Sequence, residues 1–269
     1  MREFNDNDIK IVGLEVMDAV HNFCVEHNLR YSIFYGTLLG AIRHKGYIPW
    51  DDDIDIVMPR DDYEYLIHHF DNERYGVQSC FTHDLYTLPY AKAYDKKTLK
   101  VEESNDTRLP IGFNIDIFPL DQMVDYDEYW KIRTKEKSLI RKWTVSIFKV
   151  KWGVDKPARY FYFKFMYLFT KGKANKYSRL IDQYFIKRTD KSKKKTVYAR
   201  NEIYKKEVPY VFPLDLFDNL LLIDFEDRKY YATPKYDESL KKIYGDYMKL
   251  PPKEQQVTHH GFLAYFLDD

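Results

Sequence analysis

Apolar side chains at Ile9, Val12, Val16, Val20 and Phe23 recur at three- and four-residue spacing, which marks one buried stripe on a helix. Asn5 or Asp6 is placed to cap that helix, and His27-Asn28 to end it. The pattern then shortens. Residues 31–35 read as a strand, 37–44 as a short helix over it, and 53–58 as a second strand closed by Pro59, with a helix at 61–70. Brief strand patterns follow at 77–81, 91–94 and 98–102. A stronger one lies at 113–118, where Phe113, Ile115 and Ile117 alternate with Asn114, Asp116 and Phe118. Helical patterns occupy 126–143 and 176–187. Residues 220–225 and 228–232 flank the turn Glu226-Asp227 as a hairpin, and 234–244 form a last helix, with Pro234 suited to its first turn and Gly245 to its end. Strands early and helices late predict an α+β fold with a mixed sheet, flanked by helices, as the platform for a site.

One segment departs from ordinary patterning. Asp53 and Asp55 alternate with Ile54, Ile56 and Val57. In a strand this spacing sends both carboxylates to one face and the aliphatic side chains to the other. Aspartate is poorly suited to strands, and two on one face repel unless a cation lies between them. An acidic run such as Asp51-Asp52 is otherwise a solvated turn, but such a turn has no need of the alternation. Two hard oxygen ligands fit Mg²⁺, with Mn²⁺ as its nearest substitute, held against a substrate diphosphate. Upstream, Gly36-Thr37 falls where strand gives way to helix, and a helix start offers unpaired N–H groups and a positive dipole end to a phosphate. Arg43, His44 and Lys45 lie between that turn and the acids. Arg43 can grip phosphate bidentately and Lys45 as a point charge, the alternative being an exposed basic loop. Asp116 is the natural third carboxylate. Its apolar neighbours leave it needing a cation, a proton-transfer role or a backbone hydrogen bond at a strand end.

Three blocks of sequence make the picture specific. GTLLGAIRHKGYIPWDDDID from Gly36, GFNIDIFPLD over 112–121 and YGDYMKLPPKEQQVTHH over 244–260 resemble the signature of the LicD family, which includes the fukutin-type proteins of animals. The resemblance spans 35–260, and the stretch 130–210 carries no matching motif. It implies a nucleotidyltransferase-like core in which Asp53, Asp55 and Asp116 hold the metal and Asp116 also serves as base. Lys92, in PYAKAYD, resembles a basic family position near the site. His260, rather than the adjacent His259, is placed to reach a phosphate or the acceptor, or else is structural. The activity implied is a Mg²⁺-dependent phosphotransferase. It moves a phospho-substituent, foremost phosphocholine from CDP-choline, to a sugar hydroxyl of teichoic acid or another lipid-linked surface glycan. Glycerol phosphate or a nucleotide moved by the same site is one alternative. A metal-bearing glycan-binding module without turnover is the other, against which the intact three-aspartate set argues.

Composition narrows the rest. The chain has 269 residues and a net charge of +1, so no basic field points to nucleic acid. Residues 1–130 are expected to form the catalytic core, 131–210 a helical region facing acceptor or membrane, and 211–269 a segment closing the site. Cys24 and Cys80 lack metal-ligand spacing and read as buried thiols. The opening MREFNDNDIK has no apolar signal region, and no stretch approaches the ~18 apolar residues of a spanning helix, so a cytoplasmic protein is expected. Aromatics make up 17% of the chain. From Trp143 to Lys173 they interleave with Lys and Arg, which predicts either a core helix with snorkelling lysines or an interfacial helix at the inner face of the membrane.

Overall fold

The computed structural model describes residues 1–102, 111–147, 156–188, 194–200, 211–258 and 261–267. After β1 (Arg2–Glu3), the Asn5 side chain accepts from the N–H groups of Asn7 and Asp8, and the Asp8 carboxylate accepts from the Asn5 N–H. This reciprocal cap fixes the start of α1 (Asp6–Glu26). Val12, Val16 and Val20 are its buried stripe, as their spacing predicts.

The first half of the chain continues as β2 (Ser32–Ile33), α2 (Tyr35–His44), β3 (Asp55–Pro59), α3 (Arg60–His69), β4 (Tyr75–Gln78), β5 (Ala91–Asp95), β6 (Thr98–Glu102) and β7 (Asn114–Met123). Then come α4 (Tyr126–Ile147), α5 (Pro157–Thr170), α6 (Ala174–Arg188), β8 (Val197–Arg200), β9 (Val211–Pro213), β10 (Leu221–Phe225), β11 (Arg228–Ala232), α7 (Tyr236–Tyr244) and β12 (Phe262–Phe266). The main sheet runs β2-β3-β7-β5-β4, with β8 on the second half of β7 and β9 on β8. Among the described residues only β3 and β7 run parallel; the sheet is therefore mixed, and the fold is α+β. Ile56, Val57 and Met58 of β3 and Ile115, Ile117, Phe118 and Leu120 of β7 are all buried, so this central pair is covered on both faces. β10 and β11 form a separate hairpin, and β12 joins β6 to β1 in a three-stranded sheet.

Several expectations shift. The strand expected at 31–35 stops at Ile33, because Tyr35 already turns into α2 with φ +47°, a sparsely populated region for an aromatic residue. Gly36 and Thr37 thus lie inside the first turn of the helix rather than before it. The strand expected at 53–58 begins at Asp55, leaving Asp53 in the approach to it. The stretch 143–173 is not one helix. Trp143 belongs to α4 and is buried, its indole N–H donating to the Thr87 carbonyl, whereas α5 begins afresh at Pro157. The short strands β1, β8, β9 and β12 carried no recognisable pattern of their own.

A buried ion cluster ties the helices to the sheet. The Arg60 guanidinium, at the start of α3, donates to both carboxylate oxygens of Asp121 on β7 and both of Asp182 on α6, at 2.8–3.0 Å. Burial pushes the Asp182 carboxyl up to about 6 against the pull of Arg60. Cys24 and Cys80 are free and buried, and burial pushes both thiols up.

Candidate active site

Strand register assembles the site. Asp55 on β3 is paired with Asp116 on β7, Asp116 with Lys92 on β5, and Lys92 with Gln78 on β4. Paired residues share a face, so this row crosses four strands on one side of the sheet. The Lys92 ammonium donates to Asp116 Oδ1 at 2.6 Å and to Asn114 Oδ1 at 3.0 Å. Three residues singled out from sequence, Asp55, Asp116 and Lys92, are therefore brought together. Asp53 is exposed just ahead of β3, yet close enough that its charge acts on Asp55.

The glycine turn is used differently from the expected phosphate cradle. The Thr37 hydroxyl accepts from the Asp55 N–H at 2.8 Å and so locks the start of β3 to α2. A Cβ added at Gly36 would stand 2.6 Å from Asp51 Oδ2. Gly36 thus makes room for a carboxylate, and Asp51 joins the acidic cluster. Burial is the main cause of a strongly raised Asp55 carboxyl pKa, with Asp53, Asp116 and Asp51 adding to it. Arg200 opposes them. It was not singled out from sequence, since one Arg at the end of the short segment VYAR carries no pattern. Its guanidinium lies 3.7 Å from the Phe118 ring centre and 4.9 Å from that of Tyr35, held over two faces by cation–π attraction.

The basic loop divides. Arg43 turns toward the C-terminal segment, donating to the Tyr247 carbonyl at 2.8 Å and, through Nε, to His44 at 2.8 Å. Lys45 ends α2 in the left-handed region and its carbonyl accepts from Glu226. Its exposed side chain lies on the hairpin side, where its charge reaches Asp224. Lys45 is not drawn into the acidic row. His260 lies outside the described residues.

Among the described residues no three carboxylate, imidazole or thiol groups stand together as a finished metal shell. The acids nonetheless suit a divalent cation in kind. Asp51, Asp53, Asp55 and Asp116 supply hard oxygens, and burial together with the charges of the other three raises the Asp55 carboxyl although Arg200 pulls the other way.

Residues 28–152 match the family model described as LicD/FKTN/FKRP, nucleotidyltransferase domain. The chain thus carries a LicD-type nucleotidyltransferase domain over those residues. Along 280 aligned positions it is 29% identical to the lipopolysaccharide cholinephosphotransferase LicD of Haemophilus influenzae, covering 99% of this chain and 100% of that protein. An uncharacterized protein of Rickettsia prowazekii is 38% identical over 86 residues, 31% of this chain and 29% of its own length. The matched domain contains the whole row from Asp55 to Asp116, whereas Arg200 and the C-terminal segment lie beyond it.

Next to the LicD-type row is a cleft of about 530 Å³, between α2 with its following loop and residues 244–252. Gly36, Arg43, Trp50 and Asp51 form one wall; Tyr244, Asp246, Tyr247 and Pro251 belong to the other. Glycines keep the first wall tight. A Cβ at Gly40 would stand 2.3 Å from the Gly46 carbonyl oxygen, and one at Gly46 would strike the Glu226 carboxylate.

Proposed function

We propose that this chain is a phosphotransferase that moves phosphocholine from a CDP-linked donor to a sugar hydroxyl of a cell-surface glycan, lipopolysaccharide or teichoic acid. The observation that carries the reading is the in-register pair Asp55 and Asp116 with the Lys92 ammonium on Asp116. The match of residues 28–152 to the LicD family model and full-length similarity to a lipopolysaccharide cholinephosphotransferase support it.

In this reading Asp53, Asp55 and Asp116 hold Mg²⁺. The ion, when bound, offsets charge on the donor diphosphate as the P–O bond to the nucleotide breaks. Asp116 takes the proton of the acceptor hydroxyl as its oxygen bonds to phosphorus, and CMP leaves. Lys92, which donates to Asp116 Oδ1, orients that carboxylate for the transfer. Arg200 faces the row as a second cation for the transferring group. The cleft supports a choline head group, because Trp50 and Tyr244 offer aromatic faces and Asp51 and Asp246 carboxylates, the partners a quaternary ammonium seeks.

The test is CMP release from a panel of CDP-linked donors, with Mg²⁺, with Mn²⁺ and with chelator, in the presence of a glycan extract. Metal-dependent release that is fastest with CDP-choline is expected. Faster release from CDP-glycerol would replace the head group, and an unchanged rate in Asp116→Asn would end the mechanism.

A further inference from the structure

The outer face of α5 carries a cluster of exposed large apolar side chains. Phe161, Phe165, Leu168 and Phe169 are 60%, 60%, 75% and 56% exposed. Their spacing of four, three and one residues puts them on one stripe of the helix. The Phe165 and Phe169 rings touch at 5.2 Å between centres. Thr170 is buried, while Phe163 and Met166 are half-buried on the side where α5 packs against α4. Burying this inner side accounts for the helix; it leaves the outer stripe unexplained. A single exposed phenylalanine needs no reason, but a cluster of this kind does.

Charge indicates what covers the stripe. From 156 to 181 the chain has seven Lys and Arg and no Asp or Glu. Lys164, Lys171 and Lys173 are exposed at the flanks and end of α5. Two copies of such a face would bring like charges together. An anionic surface would satisfy both the rings and the lysines. α5 is convex and carries no groove of its own, and no described helix is long and apolar enough to cross a membrane. We propose that the outer face of α5 seats the protein on an anionic lipid surface, with the rings entering the head-group boundary and the lysines above it. The contact is peripheral and reversible, and the buried Trp143 takes no part in it.

Co-sedimentation with vesicles tests this without turnover, so it stands or falls apart from the transferase reading. The full chain is mixed with vesicles of phosphatidylcholine alone or with phosphatidylglycerol, at ~0.1 M and ~1 M salt. Binding to the anionic vesicles at the lower salt is expected to be at least about tenfold tighter than to neutral ones, and to fall at the higher salt. Phe165→Ser/Leu168→Ser and Lys164→Glu/Lys171→Glu should each weaken it about tenfold or more, with unchanged thermal unfolding because all four positions are exposed. No binding, binding indifferent to lipid charge, or binding unaltered in both variants overturns the proposal. So does light scattering that shows a dimer dissolved by Phe165→Ser/Leu168→Ser in a protein that ignores vesicles, since a second copy then covers the face.

Discussion

Asp116 and Asp121 lie five residues apart on β7, and that odd spacing turns them to opposite faces of the sheet. Asp121 meets a closed account: Arg60 grips it and Asp182 bidentately, so each buried oxygen of the two acids has a donor. Asp116 meets an open one. Lys92 reaches it, but Asp55 stands beside it in register and Asp51 and Asp53 add to the same field. The first arrangement joins α3, β7 and α6 and has nothing left to bind. The second holds its acids in a state that a cation relieves. The contrast separates an ion cluster satisfied within the fold from one left open to a cation by the balance of charge and donors rather than by the number of acids.

The strongest way to break the contrast is to neutralise the open cluster. Asp55→Asn and Asp116→Asn should each cut kcat by about 10³-fold or more while melting at or above the wild-type temperature, because repulsion is relieved. Near-wild-type turnover in either variant, or a clear loss of melting temperature, would erase the distinction. The closed cluster should respond in the opposite sense. Arg60→Met strands two buried carboxylates and should cost about 3–5 kcal/mol in urea unfolding, with kcat per folded molecule little changed. Adding Asp121→Asn and Asp182→Asn to it should restore part of that loss.

A third buried acid sharpens the scale between them. Glu136 on α4 is fully buried, and its oxygens accept no hydrogen bond among the described residues. Burial pushes its carboxyl from 4.5 up to about 8, outweighing Arg133, whose guanidinium is 3.8 Å away. Between these values the folded protein keeps a proton that the unfolded chain has released. Its contribution to stability is therefore complete below about pH 4.5 and lost as pH rises through about 8. Between pH 5 and 9 the wild type should lose on the order of 3 kcal/mol more stability than Glu136→Gln, read from urea unfolding at each pH. Parallel curves would show that Glu136 is ionised in the fold. The smallest effect belongs to the surface. Lys45→Ala should alter stability by less than about 0.5 kcal/mol and leave donor KM unchanged, since its charge faces Asp224 on the hairpin. A severalfold rise in donor KM would return Lys45 to the site.

What sequence conveyed follows from how local each signal is. The strand that carries Asp55 and the strand around Asp116 are local signals and were legible, as was the helix capped by Asn5, whereas Asp53, read as part of the first strand, lies just ahead of it. The meeting of Asp55 with Asp116 is a matter of register between strands about sixty residues apart, which neither strand encodes alone. Lys92 entered only through resemblance. Arg200 was missed because its role depends on the Phe118 and Tyr35 rings beneath it. Gly36-Thr37 was read as a phosphate turn because a helix start suggests one, whereas packing gave the space to Asp51. The outer face of α5 was visible as an aromatic and basic stretch, but its limits needed the break between α4 and α5.

The cleft beside the acidic row has walls of unequal freedom. On one side, a Cβ at Gly40 would meet the Gly46 backbone oxygen at 2.3 Å, so α2 and the loop that follows it are packed backbone to backbone behind the wall. On the other, residues 244–252 are held by Arg43 on the Tyr247 carbonyl and by the buried Tyr247 side chain, whose hydroxyl donates to Asp237. Met248 and Leu250, both exposed, lie outside those two anchors and are the part that can vary. Transplanting 244–252 between relatives should change which head group is accepted and leave the chemistry at Asp55 and Asp116 untouched, so that a lineage can change its donor without rebuilding the catalytic row.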